Sequence, residues 1–126
     1  MSLAGEIFLR LNVAAVVELV GADHIFPNVV PDVSNQPTRY IVYSVIADRP
    51  ENHLEGRANL EKAIIQISCI AEKYDIADRT RRAVGVAITA SQDADFNSLI
   101  QDQRDQYVPD LKKHDAQLDV SVAYRA

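Results

Sequence analysis

The 126-residue chain has no tryptophan and a single cysteine, Cys69, so no disulfide can form within it. A disulfide scaffold is therefore excluded, and a reducing compartment is expected. No apolar run approaches the roughly 20 residues that a membrane-spanning helix needs. We expect no secretory signal peptide, because the N-terminus lacks a basic segment followed by an apolar stretch and a cleavage site.

Positive charge is also scarce. The chain has 13 Lys and Arg against 18 Asp and Glu, a formal charge of −5 and a pI of about 5.0. A protein that binds nucleic acid regardless of sequence needs a basic face to neutralise phosphates, so this class is disfavoured. With only four glycines there is no phosphate-cradling glycine-rich loop. The length fits one domain over residues 1–126.

Two segments predict helices. Residues 3–20 carry apolar side chains at helical spacing and end at Gly21, a residue type that commonly terminates helices. Residues 76–90 follow Asp75, a good N-cap, and Asp78 adds negative charge to the first turn. The inward stripe of the second helix is predicted to hold Ile76, Thr80, Ala83, Val84, Ala87 and Ile88. Three arginines are predicted to lie mostly outside that stripe: Arg79, Arg81 and Arg82.

Strand patterns fill much of the remaining chain. Apolar residues on both faces of 39–46 predict a central strand covered on two sides. Residues 60–71 predict a strand with one buried face, formed by Ala63, Ile65, Ile67, Cys69 and Ala71. Shorter or weaker patterns predict strands at 24–27, 96–106 and 118–125. This order indicates an α+β fold, with a mostly antiparallel sheet and two main helices packed on it.

Residues 47–59 are polar and contain Pro50 and Gly56, which predicts a long exposed loop between two strands. Such loops often carry interactions, and this is the segment where we expect contact with a partner. The residues that would make it are Arg49, Glu51, His53, Leu54, Glu55 and Arg57. The alternative is a connection without a partner.

No group of residues has the spacing of a catalytic or metal site. His24, His53 and His114 fit no zinc pattern, and no second cysteine accompanies them. Cys69 falls on the apolar face of a predicted strand, where we expect it to be buried and inert. We therefore expect no catalytic, cofactor-binding or metal-binding residues and no enzymatic activity.

The ordered set of elements resembles the small phage and prophage tail-completion family, whose members look related to the tail terminators of long-tailed phages. The likeness covers nearly the whole chain, with one departure at Ala123, where a bulkier aromatic residue is expected. The matching segments are Val20-Gly21, Ile25 to Pro27, Pro37 with Tyr40 to Tyr43, Leu54 with Gly56, Ile65 to Tyr74, Arg104-Asp105 with Tyr107, and Leu118 to Arg125.

The resemblance implies a structural protein that forms a homohexameric ring on the head-proximal end of the tail tube. Its partners would be further copies of itself, the tail tube protein and the head-tail connector protein, with no cofactor and no membrane contact. DNA would pass through without specific binding, and the negative charge fits a lumen that repels it. The protein would lie in the virion tail after assembly in the bacterial cytoplasm.

A head-to-tail ring requires complementary patches on each subunit. The candidate interface residues are Arg79, Arg81, Arg82, Arg104 and Asp105. The alternative for the arginines is a solvated helix face, and the alternative for residues 101–107 is ordinary pairing within the chain. Three other functions stay open: another neck component such as a head-closure or adaptor protein, a small α+β enzyme, and a cellular binding module.

Overall fold

The computed structural model describes residues 3–21, 24–27, 38–53, 56–90, 92, 96–110 and 112–125. For residues 47–53, 56–60 and 125 it describes the backbone but not the side chains. In chain order the elements are α1 (Leu3–Leu11), α2 (Ala14–Val20), β1 (Ile25–Pro27), β2 (Tyr40–His53), β3 (Gly56–Ala71), α3 (Tyr74–Ala90), β4 (Phe96–Val108) and β5 (Lys113–Arg125).

The strands form one sheet in the order β1-β2-β3-β5-β4. The short β1 runs parallel to β2, and all other neighbours are antiparallel. Consecutive strands are joined by short connections where they are antiparallel, and α3 connects β3 to the far edge of the sheet. The predicted α+β fold with a mostly antiparallel sheet is confirmed.

The apolar core lies between the helices and one face of this sheet. The predicted inward face of β3 is confirmed, since Ile65, Ile67 and Cys69 are fully buried. Its neighbour β5 adds Leu118 and Val120 to the same layer. Because successive side chains of a strand point to opposite faces, the helices cover the side chains on one face of the sheet and do not contact those on the other face.

The first helix differs from its prediction over residues 3–20, because it is divided at Asn12 and Val13. Val13 has extended backbone angles (φ −119°, ψ 157°) and begins a second helix. Asparagine and β-branched valine both have low helix propensity, which makes this the weak point of the segment. Gly21 ends α2 as predicted, with a φ of +104° that favours glycine.

The predicted loop over residues 47–59 is wrong, because most of it is the outer half of a long β-hairpin. β2 continues to His53 and β3 begins at Gly56, with paired backbone from Asp48 outwards. Hydrophobic patterning does not detect such a strand, because that patterning depends on alternating apolar and polar residues and this segment is mostly polar. Pro50 is accommodated because the ladder shifts register next to it, and proline is tolerated at such irregularities.

The helix α3 begins at Tyr74, before its predicted start at residue 76, so Asp75 lies in the first turn and is not the N-cap. From that position its carboxylate still interacts favourably with the positive, N-terminal end of the helix dipole.

The buried stripe of α3 is shifted from its prediction, since three expected residues are only partly buried: Ile76, Ala83 and Ala87. It includes the expected Thr80, Val84 and Ile88. It also includes Arg81, which was predicted to lie outside and is only 8% exposed. Gly85 brings α3 close to the sheet, since a Cβ on it would lie 3.4 Å from Cδ1 of Ile100 on β4.

The position of two strands in the sheet also differs from expectation. The helices cover only one face of β2, so the strand is not covered on both faces. At its lateral edge, β1 pairs with it only from Ile41 to Tyr43. The last strand begins at Lys113 rather than residue 118 and lies in the sheet interior, while β4 forms an edge and continues to Val108. Apolar content indicates how much of a strand is buried, but only topology determines its neighbours.

Candidate interaction surfaces

A charged cluster joins α3 to the edge strand β4. Nη2 of Arg81 lies 2.7 Å from Oδ1 of Asp78, and Nη1 lies 2.7 Å from Oδ1 of Asp105. Nη1 also donates to the carbonyl of Arg104 at 3.2 Å. Burial lowers the pKa of Arg81, but the hydrogen bonds and charges of its two carboxylate partners outweigh burial and raise it. Arg81 therefore remains a cation and fixes the helix to the strand.

The other candidate interface residues reach solvent. Arg79 pairs with Asp75 at 3.3 Å, and both side chains are exposed. Arg82 contacts Asp78 at 3.1 Å and is 80% exposed. Such exposed pairs contribute little to stability, typically about 0–1 kcal/mol, and leave the guanidinium groups accessible to a partner.

Arg104 lies on the sheet face opposite the helices, where its Nη2 is 3.0 Å from Oδ2 of Asp119. The structure thus divides the five predicted interface residues into two groups. Arg81 and Asp105 are bonded to each other within the chain, while Arg79, Arg82 and Arg104 present charge at the surface.

The predicted interaction loop becomes the β2–β3 hairpin. Arg49, Glu51 and His53 fall on β2, and Arg57 falls on β3. The backbone of Asn52 pairs with that of Arg57, so the two arms stay together nearly to the turn. Leu54 and Glu55, the predicted tip residues, lie outside the described residues.

A groove of about 320 Å³ runs between α3 and the edge strand β4. Gly85 and Val86 line its helix side, Ile100 and Gln103 line its strand side, and Leu118 lies in it from β5. Val86 is 68% exposed, although it belongs to a helix that is otherwise packed on the sheet. Sequence patterning missed this surface because Val86 and Ile100 are far apart along the chain.

The sheet face opposite the helices carries a buried carboxylate, Asp115. Its Oδ2 accepts a hydrogen bond from Gln117 at 2.9 Å, while Oδ1 has no partner within the described part of the chain. Burial raises the pKa of Asp115, opposed by hydrogen bonds from Gln117 and Ser68 and by the charge of Arg104. No sequence signal identified this residue, because a single aspartate at the start of a polar strand segment is unremarkable.

The residues considered for chemistry are not brought together. Cys69 is fully buried, and burial raises the pKa of its thiol far above the ordinary range, so the reactive thiolate is not formed. His24 bonds the carbonyl of Val20, and His114 packs against two tyrosine rings. Among the residues that the structure describes, no group of His, Cys, Asp and Glu could hold a metal ion. None of the described helices is both long and apolar enough to span a bilayer.

Comparison with protein families gives a match over nearly the whole chain. The family described as "Tail completion protein gp17" matches residues 6–125. No curated protein matches the chain.

Among solved structures, the chain is similar in fold to a chain of a structure titled "Virion of native gene transfer agent (GTA) particle". The TM-score is 0.74 at 15% sequence identity, and the alignment covers 99% of this chain and 96% of that one. Two structures of proteins from Akkermansia muciniphila align over 66% of this chain, at 12% identity and TM-scores of 0.37 and 0.36. These alignments cover only 40% and 44% of the two Akkermansia chains.

Replacing Arg81 tests its role in joining α3 to β4. We expect Arg81→Ala to lower the free energy of unfolding by about 2–3 kcal/mol, because two carboxylates lose a charge-assisted partner and the packed stem is removed. Arg82→Ala is the matched control, since Arg82 shares Asp78 as partner but is exposed, and should change stability by less than about 0.5 kcal/mol. Equal effects in urea denaturation would contradict the assignment.

The raised pKa of Asp115 predicts a pH-dependent contribution to stability. The folded state holds this proton more tightly than the unfolded state, so the contribution is present at acid pH and is lost as pH rises through the folded-state pKa. Asp115→Asn removes this dependence, and the stability of the variant relative to wild type should therefore be greater at pH 7 than at pH 3. The same substitution at the exposed Asp110 is the control, and a difference that does not change with pH would contradict the prediction.

Proposed function

Because the chain belongs to the tail completion protein gp17 family, a family of structural proteins of phage-type tails, we propose that it acts as a tail terminator. Identical copies form a closed ring on the head-proximal end of the tail tube, and the ring ends tube growth and presents a surface to the head connector. The protein does this as a component of the virion tail that is assembled in the bacterial cytoplasm, and it acts as a single domain without enzymatic chemistry.

The observation that carries this proposal is the extent of the family match, which spans residues 6–125 of the chain. The fold is consistent with a ring subunit. The helices cover one face of the sheet and leave the opposite face and the β4 edge for other contacts. A hexameric ring would match a tail tube of six-fold symmetry, because the ring and the tube would then share one symmetry axis.

Transit of DNA fits the charge of the chain. A formal charge of −5 per subunit repels phosphates from the ring as a whole, which prevents arrest of the DNA as it passes. On the face opposite the helices, three aspartates are interspersed with three cations in the region described: Asp102, Asp115 and Asp119 with Lys62, Arg104 and Lys113.

The β2–β3 hairpin is the proposed contact to the neighbouring tail protein. A long two-stranded projection keeps its direction because the backbone ladder stiffens it, and its arms carry Arg49, Glu51, His53 and Arg57. The exposed Arg79, Arg82 and Arg104 are proposed to meet carboxylates of an adjacent subunit. Arg81 and Asp105 support this surface from within by fixing α3 to β4.

Ring formation is tested by the mass of the assembled protein. Light scattering on the purified chain, alone and with assembled tail tubes, should give a species of six times the 14.0 kDa chain mass, and electron micrographs should show rings at one end of each tube. Solitary chains at every concentration, with tubes present, would contradict the proposal. Rings bound to the head-proximal connector but absent from tubes would instead favour a head-closure or adaptor protein.

Shortening the hairpin tests its proposed role in capping. Deleting residues 51–60 and joining Pro50 to Glu61 through Asn-Gly keeps the paired register of those two residues and the hydrogen bond from Tyr124 to Glu61. We expect the variant to fold, with an unchanged circular dichroism spectrum, and to fail to limit tube length. Tubes of normal length would refute the role of the hairpin. The unmodified chain, and a variant with Leu9→Ala on the distant α1, are the controls.

A further inference from the structure

Both lateral edges of the sheet have backbone that the described strands leave unpaired. β4 has no described neighbour on its outer side along Phe96–Val108. At the other edge, β1 pairs with β2 only as far as Tyr43, so no described strand pairs with the outer side of β2 from Ser44 onwards. An unpaired strand edge is a template for strand addition from another chain.

One apolar row of the core reaches both edges. Val45 on β2 pairs with Ile65 on β3, Ile65 pairs with Val120 on β5, and Val120 pairs with Ile100 on β4. The two central residues are fully buried, whereas Val45, at the β2 end, is 38% exposed. The core layer therefore ends at solvent on one edge and at the α3–β4 groove on the other.

The two ends of this row have complementary shapes. At the β4 end, the groove of about 320 Å³ exposes Val86 and receives Ile100 from the strand. At the β2 end, two consecutive apolar side chains are exposed, Val45 and Ile46, and Ile46, which is 53% exposed, lies at a register shift. The groove at one end can receive the apolar side chains exposed at the other end, so two copies of the same chain can contact each other in this way.

Strand direction favours the same arrangement. β2 and β5 run one way, and β3 and β4 run the other, because each neighbouring pair among these four strands is antiparallel. Two copies in the same orientation, side by side, therefore bring β4 of one against β2 of the next in antiparallel register. The helices of both copies then lie on the same side of the continuous sheet.

We propose that β4 of one copy pairs with the outer part of β2 of the next, from Ser44 onwards, and that Val45 of the second copy occupies the α3–β4 groove of the first. The inference rests on the proposed ring and identifies its subunit contact. Such a contact is head-to-tail, and it generates a closed ring when the rotation between neighbouring copies closes.

A buried donor in the groove supports this joint. Arg81 lines the groove, and its Nε is buried without an acceptor within the described residues. Buried donors are nearly always paired, and the carbonyl groups on the outer side of an incoming strand are suitable acceptors. The alternative pairing of β4 with β4 about a two-fold axis would give a closed dimer and leave Val45 exposed.

Engineered cysteines test the joint. In the backbone register, Ala47 and Leu99 are the two ends of one cross-strand row, through Ile64 and Ser121. The double variant Ala47→Cys with Leu99→Cys, oxidised in the full-length protein, should give a ladder of multimers up to the size of the closed ring. Each single variant should give no covalent dimer, and the buried Cys69 should not react. The control pair is Ala47→Cys with Leu9→Cys, which is exposed on α1.

A second variant measures the groove directly. Val86→Asp should weaken ring formation at least tenfold in light scattering while leaving the melting temperature nearly unchanged, because Val86 is largely exposed in the single chain. Leu9→Asp, the control, should assemble normally.

The outcomes separate the joint from the ring itself. Rings that form in wild type and in Val86→Asp alike, without the cysteine ladder, would overturn the joint and leave the proposed function standing. A covalent dimer of Leu99→Cys alone would show pairing of β4 with β4 and would also overturn the joint. Wild-type protein that forms no ring with tubes present would overturn both proposals.

Discussion

The organisation of this molecule depends on the packing of its helices onto one face of the sheet. Ile65, Ile67 and Val120 are fully buried at that interface, and burial of each such side chain stabilises the fold by about 1.5–3 kcal/mol. Because the helices use only one face, the opposite face and the edges of the sheet remain for other roles. A protein whose function is to fill a place in an assembly needs surfaces of this kind.

The position of α3 is fixed by two features that act together. Gly85 lets the helix approach β4, and Arg81 bonds to Asp105 on that strand. The Arg81 side chain is largely buried and also lines the groove beside Val86 and Ile100. Arg81, which was expected to contact a partner, therefore helps to form the surface on which contact is proposed.

The candidate surfaces were only partly predictable from residue types. The exposed charges of Arg79 and Arg82 follow the prediction, since the carboxylates that they contact lie on the same helix and leave them in water. The groove was not predictable, because its walls come from a helix and a strand. Local sequence patterns do not show how close these two elements lie in space. Asp115 was missed for the same reason, since its burial depends on neighbours from β3 and β5 rather than on its own surroundings in sequence.

The sequence by itself determined the α+β class, the inward face of the strand from Ala63 to Ala71, the inert cysteine and the tail-completion family. These depend on alternation and residue order, which are properties of the chain read locally. Tertiary structure decided that residues 47–59 form a hairpin and not a loop, because backbone pairing, and not side-chain polarity, stabilises its arms. It also decided that Arg81 is buried, since the carboxylate that makes burial possible lies 24 residues further along the chain.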